Sequence, residues 1–158
     1  MFPARMLLAV DGFTETLAAV RAAVALANGG CWEMQVVHVV PTTPELPYLH
    51  LAAKERVINF QEWRRLQGLM MLDDYVTRIE EDLAGSVAAT YYREGKPEKE
   101  IVLLGDEIEA GLIIMGGRRG NRLERVFGAS VAEKVLRRAN RPVLMVDDRA
   151  SRALTVPH

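Results

Sequence analysis

Residues Leu112 to Val146 read LIIMGGRRGNRLERVFGASVAEKVLRRANRPVLMV and contain the parts of one βαβ unit. The apolar strand Leu112–Met115 is followed by a loop rich in glycine and arginine. Ser130 then starts a helical stretch, and Pro142–Val146 is a second apolar strand. A glycine-rich turn between a strand and a helix is where a parallel sheet presents backbone N–H groups to phosphate. The stretch therefore predicts an α/β fold with a parallel sheet, and a candidate phosphate site in the loop that follows Met115.

The preceding part of the chain alternates strands and helices in the same way. The predicted strands are Met6–Val10, Met34–Val40 and Val87–Arg93. The predicted helices run from Thr14 to Asn28, over about 52–83 with a bend at Gly68, and over about 98–109. Parallel strands joined by right-handed helical crossovers form a three-layer α/β/α sandwich, here with a five-stranded sheet in the order 3-2-1-4-5. Ligands of such sheets bind where the winding direction reverses, and the loops beginning at Asp11 and Gly116 leave the sheet there.

The composition indicates one ordinary globular domain. The chain has 158 residues, a length that allows one domain to bury a sizeable core. Of these residues 49% are hydrophobic and 26% are charged, which is ordinary for a globular protein. A net charge of -1 gives no support for binding to nucleic acid or to a membrane surface. The lone Cys31 excludes an internal disulfide framework, and the sequence shows neither a membrane-spanning run nor a signal peptide. These features predict a cytoplasmic domain over residues 1–147, followed by a polar tail over 148–158.

Four segments, in order along the chain, resemble the universal stress protein family. They read MLLAVDGFTETLAAVRAAVALA from Met6, VVHVVP from Val36, REGKPEKEIVLLGDEIEAGLIIMG from Arg93 and ASVAEKVLRRANRPVLMV from Ala129. The resemblance implies the sandwich fold described above, that of adenine nucleotide alpha hydrolase-like proteins. It also implies a homodimer, and the family includes members that bind ATP and members that do not.

The resemblance further implies where a nucleotide would bind. The ATP-binding members carry the motif G-x2-G-x9-G-[ST] after the fourth strand. In this chain Gly116 matches the first glycine, whereas Arg119 and Ala129 stand at the second and third. A shift of one residue restores Gly117-x2-Gly120, but only eight residues then separate Gly120 from Ala129, where the motif has nine. The predicted phosphate loop is therefore altered in its spacing.

Several residues of the predicted site have two interpretations. Arg118 and Arg119 carry guanidinium groups that pair well with phosphate, and they would otherwise form a solvated basic loop. By resemblance the Ser130 hydroxyl would contact phosphate, while Ser130 and Glu133 also match a helix capping box. Asp11 matches an aspartate near the adenosine of the binding members, and its alternative role is to shape the turn after the first strand.

The principal hypothesis is a small ATP-binding module of the stress response that acts through its bound state and through dimerisation across Pro142–Val146. Magnesium would accompany the phosphates. The alternative is a dimeric interaction protein that binds no nucleotide. An enzyme is not predicted, beyond slow ATP hydrolysis, because no positioned general base accompanies the loop. The predicted nucleotide-binding residues are Ala9, Asp11, Val39, Met115, Gly116, Gly117, Arg118, Arg119, Gly120, Ser130 and Val131.

Overall fold

The structure, a computed structural model, describes residues 4–11, 14–42, 60–117 and 131–147. Its strands are β1 (Ala4–Ala9), β2 (Trp32–Pro41), β3 (Ala89–Gly95), β4 (Leu112–Gly116) and β5 (Val143–Val146). Its α-helices are α1 (Thr14–Gly29), α2 (Phe60–Thr77), α3 (Pro97–Glu107) and α4 (Val131–Arg138). All strand pairs are parallel, and the five-stranded sheet has the order β3-β2-β1-β4-β5. The predicted fold class and strand order are confirmed.

Each face of the sheet carries its own hydrophobic cluster, because successive side chains of a strand point to opposite faces. In β1, Leu8 belongs to a cluster with Val20 of α1 and Leu72 of α2. Its neighbour Leu7 belongs to a second cluster with Leu104 of α3 and Val135 of α4. Helices α1 and α2 therefore cover one face and α3 and α4 the other, which gives the three layers.

Helix α2 differs from its prediction in the place where it becomes irregular. The helix is α-helical through Gly68, where a bend was predicted, and changes to a π-helical turn at Arg78–Asp82. Gly68 instead permits a close approach to the sheet, since a Cβ at this position would lie 2.8 Å from Tyr92 Cε2 and 2.8 Å from Val40 Cγ2. The predicted first turns of this helix, residues 52–59, lie outside the described residues.

The strand ends also differ slightly from the predictions, and pairing explains the shifts. β3 begins at Ala89, two residues later than predicted, and continues to Gly95. Its last pair in the register joins Gly95 to Pro41 at the end of β2. Pairing with β2 therefore extends β3 beyond the predicted Arg93 to Gly95.

Candidate functional site

A cavity of about 310 Å³ lies at the carboxyl edge of the sheet, where the central strand ends before its neighbour. β1 ends at Ala9, whereas β2 continues to Pro41 in pairing with β3. On the other side, β4 pairs with β1 as far as Met115. The chain leaves the sheet after β1 and so opens a gap between β2 and β4. This is the reversal point at which ligands of such sheets bind.

The cavity brings together the predicted site residues that the structure describes, with one exception. The predicted residues in its lining are Ala9, Asp11, Val39, Met115, Gly116 and Val131. They come from the ends of three strands and from the first residue of α4. Residues more than a hundred positions apart in sequence therefore meet at one edge, as the predicted strand order requires.

Gly117 is the exception, because it packs against the last strand and does not line the cavity. Its N–H donates to the carbonyl oxygen of Val146 at 3.0 Å. A Cβ at this position would lie 2.2 Å from the Met145 side chain. Packing between the end of β4 and β5 therefore accounts for this glycine. The predictions for Arg118, Arg119, Gly120 and Ser130 lie outside the described residues.

Part of the cavity wall was not predicted from the sequence. The additional lining residues are Val10, Val37, His38, Pro41, Pro97 and Ile101. Two signals were available: Val37 shares a strand face with the predicted Val39, and Pro97 starts the helix that follows β3. Such a helix begins at the carboxyl edge of a parallel sheet, so its first turn is close to the site.

Asp11 is the acidic residue of the described cavity lining, and its neighbour Thr16 holds it in place. The Thr16 hydroxyl donates to Asp11 Oδ1, and the Asp11 N–H donates to Thr16 Oγ1 at 3.4 Å. Thr16 lies in the first turn of α1 and is 1% exposed, whereas Asp11 is exposed. An ionised carboxylate only accepts hydrogen bonds, which suits the hydroxyl groups of a ribose.

His38 is a buried polar residue beside Asp11. Its Nδ1 lies 2.7 Å from the carbonyl oxygen of Val10. Because a carbonyl oxygen can only accept a hydrogen bond, Nδ1 carries the hydrogen in this contact. The imidazole therefore binds the backbone at the point where β1 leaves the sheet.

The described ranges contain neither a metal-binding cluster nor a membrane-spanning helix. No group of three His, Cys, Asp or Glu side chains in these ranges could hold a metal ion. No helix in the same ranges is long and apolar enough to cross a membrane.

The chain matches a known protein family over nearly its whole length. The model of the universal stress protein family matches residues 4–147. The chain belongs to the universal stress protein family. Universal stress protein YxiE of Bacillus subtilis is 30% identical over 146 residues, which are 90% of this chain and 97% of that protein.

Solved universal stress protein structures share the fold and include nucleotide complexes. A universal stress protein in complex with cAMP is 20% identical, with a TM-score of 0.64 over 93% of this chain and 98% of that one. The Archaeoglobus fulgidus universal stress protein in complex with dAMP is 23% identical, with a TM-score of 0.58 over 92% and 99%. Structural relatives of this universal stress protein therefore bind adenine nucleotides.

Proposed function

We propose that this protein is a nucleotide-binding module of the stress response and that its ligand is ATP. The observation that carries the proposal is the cavity between β2 and β4, which has Asp11 at the end of β1 in its lining. Two structural relatives were solved with adenine nucleotides, cAMP and dAMP. Their complexes support an adenine nucleotide as the class of ligand.

The described walls suit a nucleoside. The cavity volume of about 310 Å³ lies at the lower end of the range for small-molecule pockets. Val39, Ile101 and Met115 offer apolar surface for the faces of a base. Asp11 offers acceptors for ribose hydroxyls on the side of β1. The base would therefore lie toward β2 and α3, with the ribose at Asp11.

The phosphates would extend toward α4. Val131, the first residue of α4, lines the cavity, so the N-terminal end of this helix faces it. Free N–H groups and the helix dipole at such an end favour an anion. We propose that the arginines Arg118 and Arg119 and the Ser130 hydroxyl add to this site, with magnesium bound mainly by the phosphates themselves.

We propose that the protein acts through its bound state and does not turn ATP over, apart from slow hydrolysis. Asp11 and His38 are the titratable residues in the described lining of the cavity. Asp11 accepts a hydrogen bond from the Thr16 hydroxyl, and His38 donates one to the Val10 carbonyl oxygen. Both residues therefore have positional roles that do not require the transfer of a proton.

We further propose a homodimer formed through Pro142–Val146. β5 is an edge strand of the sheet, and Leu144 on it is 38% exposed. Leu136 on the adjacent helix α4 is 43% exposed. An edge strand with apolar neighbours offers free backbone groups to a second copy of itself, and a two-fold axis would pair the same surface on both chains.

The test of ATP binding combines released ligand with direct titration. Freshly purified protein is denatured, the released small molecules are identified by mass spectrometry, and ligand-free protein is titrated calorimetrically with ATP. We expect an adenine nucleotide in the released fraction or saturable binding of ATP. Neither release nor binding at millimolar ATP would contradict the proposal and would favour the interaction protein that binds no nucleotide.

A further inference from the structure

Two buried side chains hold the peptide unit that joins Val10 to Asp11, one at each of its polar atoms. The carbonyl oxygen of this unit accepts a hydrogen bond from His38 Nδ1 at 2.7 Å. Its N–H donates to Thr16 Oγ1 at 3.4 Å, and the same hydroxyl donates to Asp11 Oδ1. Exposure is 7% for His38 and 1% for Thr16.

The position of this peptide unit explains why its hydrogen-bond partners are side chains and not backbone groups of a neighbouring strand. The Val10 N–H still donates to the Val37 carbonyl oxygen at 2.9 Å, as in a sheet ladder. The register between β1 and β2 ends one residue earlier, at Ala9 and Val37, and the chain then leaves the sheet toward α1. Buried backbone groups need partners, and here the partners come from β2 and α1.

We propose that Thr16 and His38 are positioning residues that orient Asp11 before a ligand arrives. Thr16 fixes both the backbone N–H and one carboxylate oxygen of Asp11, while His38 fixes the preceding carbonyl. A carboxylate that is already oriented loses less conformational freedom on binding a ribose hydroxyl, which increases affinity. The role in affinity rests on the proposed function, whereas the orientation of Asp11 does not depend on it.

The affinity test uses matched pairs of variants. Thr16→Val removes the hydroxyl at nearly constant shape, and Thr16→Ser keeps it. His38→Leu removes the donor, and His38→Asn retains an N–H near the position of Nδ1. We expect the Kd for ATP to rise roughly three- to tenfold in Thr16→Val and His38→Leu, and to stay within about twofold in the two conservative variants. Equal affinity in Thr16→Val and Thr16→Ser would overturn the proposal.

A double-mutant cycle separates positioning from a general effect on the fold. If Thr16 acts through Asp11, Thr16→Val should not weaken ATP binding further in an Asp11→Ala background. The same loss in both backgrounds would overturn the positioning role. Thermal unfolding of each variant shows whether the protein remains folded, and if His38→Leu does not fold, the Nδ1 hydrogen of His38 is tested by NMR on the unchanged chain.

A third measurement requires no nucleotide. In nitrogen-15 NMR spectra of the ligand-free protein, neutral His38 should carry its hydrogen on Nδ1, and the Asp11 amide should exchange faster in Thr16→Val than in the unchanged chain. Hydrogen on Nε2, or equal exchange in both proteins, would overturn the orientation of Asp11 by these residues. If ATP fails to bind while these spectra are as expected, the proposed function fails and the orientation of Asp11 stands.

Discussion

Asp11 lies where the central strand ends and the cavity begins, so its side chain reaches the ligand space without help from a long loop. Its position was predictable from the sequence, because an aspartate directly after a buried strand must lie at the edge of a parallel sheet. The contact of Thr16 with Asp11 and that of His38 with the Val10 carbonyl oxygen were not predictable in the same way. They depend on side-chain directions in two other elements, which strand and helix patterns do not specify.

Replacing Asp11 tests its role in recognition directly. Asp11→Ala should weaken ATP binding by roughly tenfold to a hundredfold, because hydrogen bonds to a charged group contribute about 1.5–3 kcal/mol. Calorimetric titration measures the change. Asp73→Ala, an exposed acid on α2, is the matched control and should leave the affinity unchanged. Retained affinity in Asp11→Ala would show that the ribose lies elsewhere.

Tyr92 on β3 gives a pH-dependent prediction away from the cavity. Burial raises the pKa of Tyr92 to about 12, and its hydrogen bond of 2.8 Å to Glu94 Oε1 acts in the same direction. The unfolded chain releases the phenol proton near pH 10, so the contribution of this contact to stability is complete below about pH 10 and disappears toward pH 12. Ultraviolet titration should show a late phenol transition whose amplitude is smaller in Tyr92→Phe. An unchanged late transition in the variant would contradict this assignment.

At the scale of elements, unequal strand lengths create the site. β1 ends at Ala9 while β2 runs to Pro41, and the gap beyond β1 becomes the cavity. The alternation of elements and the strand order followed from periodicity and turn residues in the sequence. The exact ends of β2 and β3 did not, since each depends on its hydrogen-bonded neighbour. The role of Gly68 was also missed, because a glycine in a helix indicates either a bend or a close contact and only the packing distinguishes them.

Substitution of Gly68 tests the close contact between α2 and the sheet. Gly68→Ala places a Cβ 2.8 Å from Tyr92 Cε2 and Val40 Cγ2. Such overpacking costs about 1–3 kcal/mol, and the higher helix propensity of alanine offsets roughly 1 kcal/mol. The free energy of unfolding in urea should therefore fall. Gly29→Ala at the end of α1 is the control, because a Cβ there meets nothing within 4 Å. Equal stability of the two variants would contradict the packing role of Gly68.

At the scale of the whole molecule, the cavity and the proposed dimer surface occupy different parts of the fold. The cavity lies between β2 and β4, whereas β5 forms one edge of the sheet. The family model covers residues 4–147 and thus includes both regions. The fold was predictable because segments along nearly the whole chain resemble the universal stress protein family. The phosphate loop was less predictable, because Arg119 and Ala129 interrupt its glycine spacing.

A charge on the edge strand tests the proposed dimer. Leu144→Glu should convert the protein from dimer to monomer, because two charges would face each other across the two-fold axis. Size-exclusion chromatography with light scattering measures the mass. Leu103→Glu on α3 is the matched control, since Leu103 is 43% exposed and α3 packs on β2 and β3, away from β5. A dimer that persists in Leu144→Glu would place the interface on another surface.

The most direct test of nucleotide binding in the cavity is NMR chemical-shift mapping of the complete chain during titration with ATP. Binding in the cavity predicts saturable shifts of the amides of Asp11, Val39 and Gly116, which line it, while the amide signals of Ala4 and Gly111 at the opposite edge of the sheet keep their positions. Shifts that cluster away from the cavity, or no shifts at millimolar ATP, would contradict it.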